Sequence, residues 1–336
     1  ISLIMEIQDR GEFCFPQLLN ISCRKLTIHW TKAMFLNIVF SIISVITVVL
    51  NLLVIISVSH FRQLHSPTNT ILLSLAVSDF LVGLLLLPLE IYRNTSCWFL
   101  GEIVCAVYYF LGCYIPYTSI GNIVLISVDR YVAICHPLHY PTTITAVKAK
   151  LCVCLCWFWY GLYSVFYIRD QITQIIEPGN NVPCLGQCSI FFSYATGVVD
   201  LILTFVLPVT AIVVLYMKVF VVAVIQARSM RSHVTFVSVQ HPVKVKAKKS
   251  ELKAARTLGV LVFTYLLCFC PLYCYTFIDV NLTDTSNMYL LTGLFYFNSC
   301  LNPVIYTLFY PWFRKAVKVI ITLQILNPDS CETNML

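Results

Sequence analysis

The chain has 336 residues, 59% hydrophobic and only 11% charged, with a net charge of +7. A soluble domain carries about 25% charged residues, so this composition excludes a fully hydrated surface and points to a membrane protein. The positive charge tracks the membrane topology derived below and is not read as a nucleic-acid footprint.

Residues 1–33 form an outer segment with no apolar core of the kind a cleavable signal peptide needs. The chain opens on Ile1, and Met5 is read as the start, with the first span as an uncleaved anchor. Asn20-Ile-Ser is the favoured glycan acceptor, with Asn94-Thr-Ser and Asn281-Leu-Thr as weaker matches. Seven apolar stretches then follow at 34–59, 67–92, 103–128, 151–168, 190–225, 255–280 and 287–310. Each is long enough to span a bilayer as helix, which takes roughly 20 residues, and none alternates with period two as a barrel strand does. The predicted fold is an all-α seven-transmembrane helix bundle over 34–310, with a cytoplasmic amphipathic helix and tail over 311–336. In that helix Phe309, Trp312, Phe313 and Val317 are expected to face lipid, and Arg314, Lys315 and Lys318 to face headgroups.

With the N-terminus outside, Arg10, Arg24, Lys25, Lys32, Arg93 and Arg169 are the outer cations, and the rest of the 22 Lys and Arg lie inside. That asymmetry sets the orientation. Of the 16 cysteines, Cys14, Cys23, Cys97, Cys105, Cys184 and Cys188 fall on the outer, oxidising side, where disulfides persist. The Cys152, Cys154, Cys156 run is read as helix packing rather than metal ligation, because only Cys152 and Cys156 share a helix face.

The third span ends in SVDRYVAICHPLHY (127–140). With Asn51, LAVSD ending at Asp79, Trp157, Pro208, Tyr216, Pro271 and NPVIY (302–306), the chain resembles the rhodopsin-like G protein-coupled receptors. NSCLNPVIYTLFYPWFRKAVKVI (298–320) narrows the likeness to the trace amine-associated receptors. The resemblance implies that Arg130 of the Asp129-Arg130-Tyr131 motif is held by Asp129 at rest and released to meet a G protein. Glu251 is placed to pair with Arg130, while Tyr216, Asn302, Pro303 and Tyr306 take part in the switch. Asp79, Ser119, Asn298, Ser299 and Asn302 form an interior polar cluster, read either as a Na+ site or as a hydrated structural network. The family's disulfides are expected here as Cys105–Cys188 and Cys23–Cys184, with Cys14 as the competing partner.

Amine receptors of this superfamily hold the ligand's ammonium with a third-span aspartate, and here that position is Gly112. Asp200, in the fifth span, is the expected replacement, as in a subgroup of the family with its acid moved to that span. A carboxylate in low dielectric is either paired or protonated. Asp200 is therefore read as pairing with a ligand ammonium, with an Arg169 salt bridge or a neutral, hydrogen-bonded carboxyl as alternatives. Tyr117, Phe269, Tyr273 and Tyr296 are the expected aromatic lining, able to attract a cation. Glu90 is read as either a solvated carboxylate or a second ammonium site for a diamine.

The family likeness further implies a stimulatory G protein, cyclic AMP and the plasma membrane of olfactory neurons. A same-fold receptor for a non-amine ligand and a seven-helix transporter remain as alternatives. No enzyme chemistry is indicated.

Overall fold

The computed structural model describes residues 13–17, 22–23, 30–176, 186–188, 194–234, 259–260, 262–276, 285–327 and 330–335. Among these, every element is helical. The helices are α1 (Trp30–His60), α2 (Pro67–Thr95), α3 (Gly101–Cys135), α4 (Ala146–Ile176), α5 (Tyr194–Asp200 continuing through Leu207–Val234), α6 (Val262–Thr276), α7 (Thr285–Phe309) and α8 (Pro311–Ile321). The first five are long and apolar enough to cross a membrane. Parts of the fifth and sixth predicted spans, with Glu251, Cys184, Asn20 and Asn281, lie outside the described residues.

Local sequence explains several boundaries. Ser66 accepts a hydrogen bond from the Asn69 amide, and Pro67 occupies the first turn, so α2 starts there. Two helices contain a widened π-turn, Val82–Leu86 in α2 and Leu201–Val206 in α5. Each ends two residues before a proline, Pro88 and Pro208. Proline lacks an N–H and crowds the carbonyl four residues back, and the extra residue per turn relieves both conflicts. The second π-turn begins immediately after Asp200, so it re-aims the outer part of α5, by about 100° for one inserted residue.

α3 is the centre of the bundle, packing on α2, α4 and α5, while α7 packs on α1 and α2. Polar bonds staple these contacts. Asn51 Nδ2 donates to the carbonyls of Thr47 (2.9 Å) and Ser299 (3.0 Å), joining α1 to α7. Trp157 Nε1 donates to Ser74 Oγ at 2.9 Å, joining α4 to α2. Gly293 is a packing glycine, since a Cβ there would run into the buried Phe40 ring of α1, which also packs edge-on against Tyr289.

The sequence expectation for α8 needs correction. Arg314, Lys315 and Lys318 are exposed, but Trp312 and Phe313 are buried. The helix returns beneath the bundle and packs on α1, so these rings close the core instead of facing lipid. Past it, the chain folds back on the turn between α1 and α2: Met335 is buried, and Arg62 pairs with Glu332 at 3.3 Å.

At the end of the bundle where α3 begins, Cys105 bonds Cys188, tying α3 to the segment before α5. Cys14 bonds Cys97 and is thus not the partner of Cys184. Cys23 is also disulfide-bonded. The Cys14 amide donates to the Cys23 carbonyl (2.9 Å) and the Trp98 amide to the Gly186 carbonyl (2.9 Å). Residues 13–17 are thereby fastened to the turn between α2 and α3.

Candidate ligand site and inner switch

Asp200 is 7% exposed. Tyr117 of α3 donates its hydroxyl to both carboxylate oxygens, at 2.9 and 3.0 Å, and Tyr163 of α4 donates to Oδ1 at 3.0 Å. Thr204, one turn further along, bonds the Asp200 carbonyl (2.7 Å) and meets the Tyr273 hydroxyl of α6 at 3.1 Å. Among the described residues, the carboxylate takes its hydrogen bonds from phenols and from no cationic side chain. Arg169, the cation that sequence placed nearest, is exposed on α4. An ionised carboxylate removed from water is costly unless its charge is compensated, so these neutral donors orient Asp200 without balancing it.

The expected aromatic lining divides in two. Tyr117 and Tyr273 sit at the Asp200 site, with Tyr273 stacked on Phe205 (centroids 4.6 Å apart). Phe269 is a core residue between Tyr265 (4.2 Å) and Phe295 (4.3 Å). Tyr296 lies across the bundle, its hydroxyl 3.7 Å from where a Cβ on Gly112 would sit. Tyr163 and Thr204 were not anticipated. Thr204 was findable as the residue four after Asp200 on its own helix. Tyr163 was not, because aromatic residues occupy every face of α4 between Trp157 and Tyr167.

A second buried carboxylate, Glu90 in α2, is fully enclosed. Its Oε1 accepts from Arg93 Nη2 (2.7 Å) and Asn94 Nδ2 (2.8 Å), and its Oε2 from Arg93 Nε (3.3 Å) and the Tyr108 hydroxyl. Glu90 is therefore not a solvated group. Asn94 is buried with its amide committed to this cluster, which removes it as a glycan acceptor.

Deeper, Asp79 accepts from Ser119 Oγ (3.2 Å) and Asn302 Nδ2 (2.7 Å), and Ser119 also donates to Ser78 (2.8 Å). Asn298 Oδ1 and Asn302 Oδ1 are buried acceptors to which no described side chain donates. With Ser299 buried beside Asn298, this is an oxygen-rich cluster carrying one carboxylate. Such an oxygen donor set suits a hard cation.

Near the C-terminal end of α3, Arg130 clasps Asp129 through Nε (2.9 Å) and Nη2 (2.5 Å). Thr68 and Tyr140 donate to the same carboxylate, each at 2.9 Å. Tyr140 sits in the single helical turn Tyr140–Thr143 after α3, and burial raises its phenol above the ordinary value. Tyr131 points elsewhere, towards His136 and beneath the Lys218 ammonium (5.8 Å). Tyr306 is buried and edge-packed on Tyr310, and Tyr216 is half-buried on α5.

The family described as "7 transmembrane receptor (rhodopsin family)" matches residues 50–306. The chain is 37% identical to trace amine-associated receptor 13c of Danio rerio, covering 97% of each chain. It is 35% identical to trace amine-associated receptor 8b of Rattus norvegicus, covering 96% of each. To trace amine-associated receptor 6 of Homo sapiens it is also 35% identical, over 99% of this chain and 97% of that one.

Proposed function

The chain belongs to the trace amine-associated receptors of the rhodopsin family, and we propose that it senses small amines by pairing the ligand's ammonium with Asp200. The family is one of multi-pass membrane receptors, not of enzymes. The observation that carries the proposal is the state of Asp200: it is buried, held by two phenols, and its charge is balanced by no cationic side chain among the described residues. An ammonium supplies the missing charge, and the rings of Tyr117, Tyr163 and Tyr273 supply cation-attracting faces of about 0.5–2 kcal/mol each. Gly112 offers no acid on the opposite wall.

The same residues couple the ligand to the helices that must move. Asp200 and Thr204 share one turn of α5, and Thr204 reaches Tyr273 on α6. A ligand held at Asp200 biases the α5–α6 arrangement to the extent that it binds the active arrangement more tightly. Inside, activation releases Arg130 from the Asp129, Thr68 and Tyr140 cluster towards a heterotrimeric G protein. We take this to be of the stimulatory, olfactory type, raising cyclic AMP, with the N-terminus outside the plasma membrane of olfactory neurons. We also propose that Asp79, Ser119, Asn298, Ser299 and Asn302 hold Na+, which favours the resting arrangement.

The test is a cyclic AMP assay of wild type, Asp200→Ala and Asp200→Asn against primary to tertiary amines, with surface expression measured. Loss of response in both variants supports the anchor. Equal activation of all three overturns it, and silence of the wild type towards every amine favours a non-amine ligand. Gly112→Asp combined with Asp200→Ala asks whether an acid on α3 restores a response.

A further inference from the structure

Two buried carboxylates among the described residues, Glu90 and Asp200, are in opposite electrostatic conditions. A carboxylate offers about four lone-pair sites. On Glu90 four donors meet them: two guanidinium nitrogens of Arg93, the Asn94 amide and the Tyr108 hydroxyl. One of those partners is a full cation, so the pair is neutral as a unit. Among the described residues, the carboxylate of Asp200 accepts from the phenols of Tyr117 and Tyr163 and from no cation.

The Glu90 cluster borders the ligand region. Tyr108 lies one turn outward from Gly112 on the same face of α3, and Tyr296 reaches the Gly112 position from α7. Arg93 keeps a quarter of its side chain exposed and lies over the Tyr108 ring, 5.9 Å from its centre.

We infer that Arg93 is a specificity-determining residue: by occupying Glu90 it withholds the second carboxylate and selects amines with one ammonium over α,ω-diamines. This rests on Asp200 as the anchor for the first ammonium. A diamine held there must leave its second ammonium uncompensated or bring it towards a carboxylate already saturated and guarded by a like charge. Either way the second charge is desolvated without a partner, which disfavours the ligand. A monoamine with an apolar tail carries no such penalty.

The experiment compares n-alkylamines with α,ω-diamines of matched chain length on wild type, Arg93→Gln, Glu90→Gln/Arg93→Gln and Asp200→Asn, with surface expression measured in each. Wild type should favour the monoamine. Arg93→Gln, which frees Glu90, should shift the potency ratio towards the diamine by about tenfold or more, the worth of one charged hydrogen-bonded contact. The double variant should lose that shift while keeping its monoamine response.

A wild-type preference for diamines overturns the inference, as does an unchanged ratio in surface-expressed Arg93→Gln. Removing Arg93 strands a buried charge, and if that variant does not reach the surface the double variant decides. Loss of its monoamine response would place the pair in the primary anchor and overturn the proposal; retention with diamines still disfavoured supports it. Asp200→Asn separates the two readings. If it still responds to monoamines, the anchor fails. If it is silent while the Arg93→Gln ratio is unchanged, only the selectivity gate fails.

Discussion

Replacing Tyr117 by Phe keeps the ring and its packing and deletes the hydroxyl that donates to Asp200 Oδ1 at 2.9 Å and Oδ2 at 3.0 Å. A hydrogen bond to a charged group contributes about 1.5–3 kcal/mol. The bound state needs the carboxylate ionised and aimed, so most of that loss falls on the complex. Each 1.4 kcal/mol is a factor of ten, so agonist potency should drop roughly tenfold to a hundredfold. Tyr163 donates to Oδ1 at 3.0 Å, so Tyr163→Phe should weaken potency in the same direction and by less, having one acceptor instead of two. Because the phenols share Oδ1, their effects should not add, with an interaction of about 0.5–3 kcal/mol in the cycle. The assay is agonist concentration–response for wild type, both singles and the double, normalised to surface receptor. If both singles lie within threefold of wild type (about 0.65 kcal/mol) while Asp200→Asn is inactive, the phenols do not prepare the carboxylate and this reasoning fails.

Three further outcomes follow from other parts of the molecule. Gly293→Ala should lower thermal stability in detergent by about 1–3 kcal/mol, since its Cβ meets the Phe40 ring, and Phe40→Ala should offset part of that loss. Sodium should lower agonist potency in wild type by about fivefold or more, and Asp79→Asn should abolish that dependence; equal sodium sensitivity in both would remove the ion from the Asp79 cluster. Tyr140→Phe deletes one of the bonds that hold Asp129 at rest and should raise ligand-independent cyclic AMP, with the charged-bond range of about 1.5–3 kcal/mol as the upper bound; an unchanged basal level would mean that Arg130 alone sets the lock.

What could be read from the sequence was whatever local chemistry determines. Apolar length located the helices, and prolines marked where backbone bonds are interrupted. The charge problem at Asp200 was visible because an acid in an apolar run is conspicuous. What escaped depended on packing between elements. α4 carries Trp157, Phe158, Trp159, Tyr160, Tyr163, Phe166 and Tyr167 on all sides, so no periodicity could pick Tyr163 as the residue facing α5. The Cys14–Cys97 bond is one of many possible connectivities among the outer cysteines. The burial of Trp312 and Phe313 reflects where α8 is docked, which an amphipathic pattern alone leaves open between lipid and protein. The Glu90 cluster is different in kind: Arg93 and Asn94, three and four residues on, share its helix face, so spacing held the neutralising partner although Glu90 was read as solvated or as a second ammonium site.

The most direct test of the Asp200 anchor pairs a ligand change with a receptor change. An active amine and the neutral alcohol of the same shape are compared on wild type and on Asp200→Asn, by competition binding in membranes. If the ammonium pairs with Asp200, the amine outbinds the alcohol on wild type by about 1.5 kcal/mol or more, and the advantage vanishes on Asp200→Asn. An advantage of the same size on both receptors would place the ammonium elsewhere and contradict the pairing.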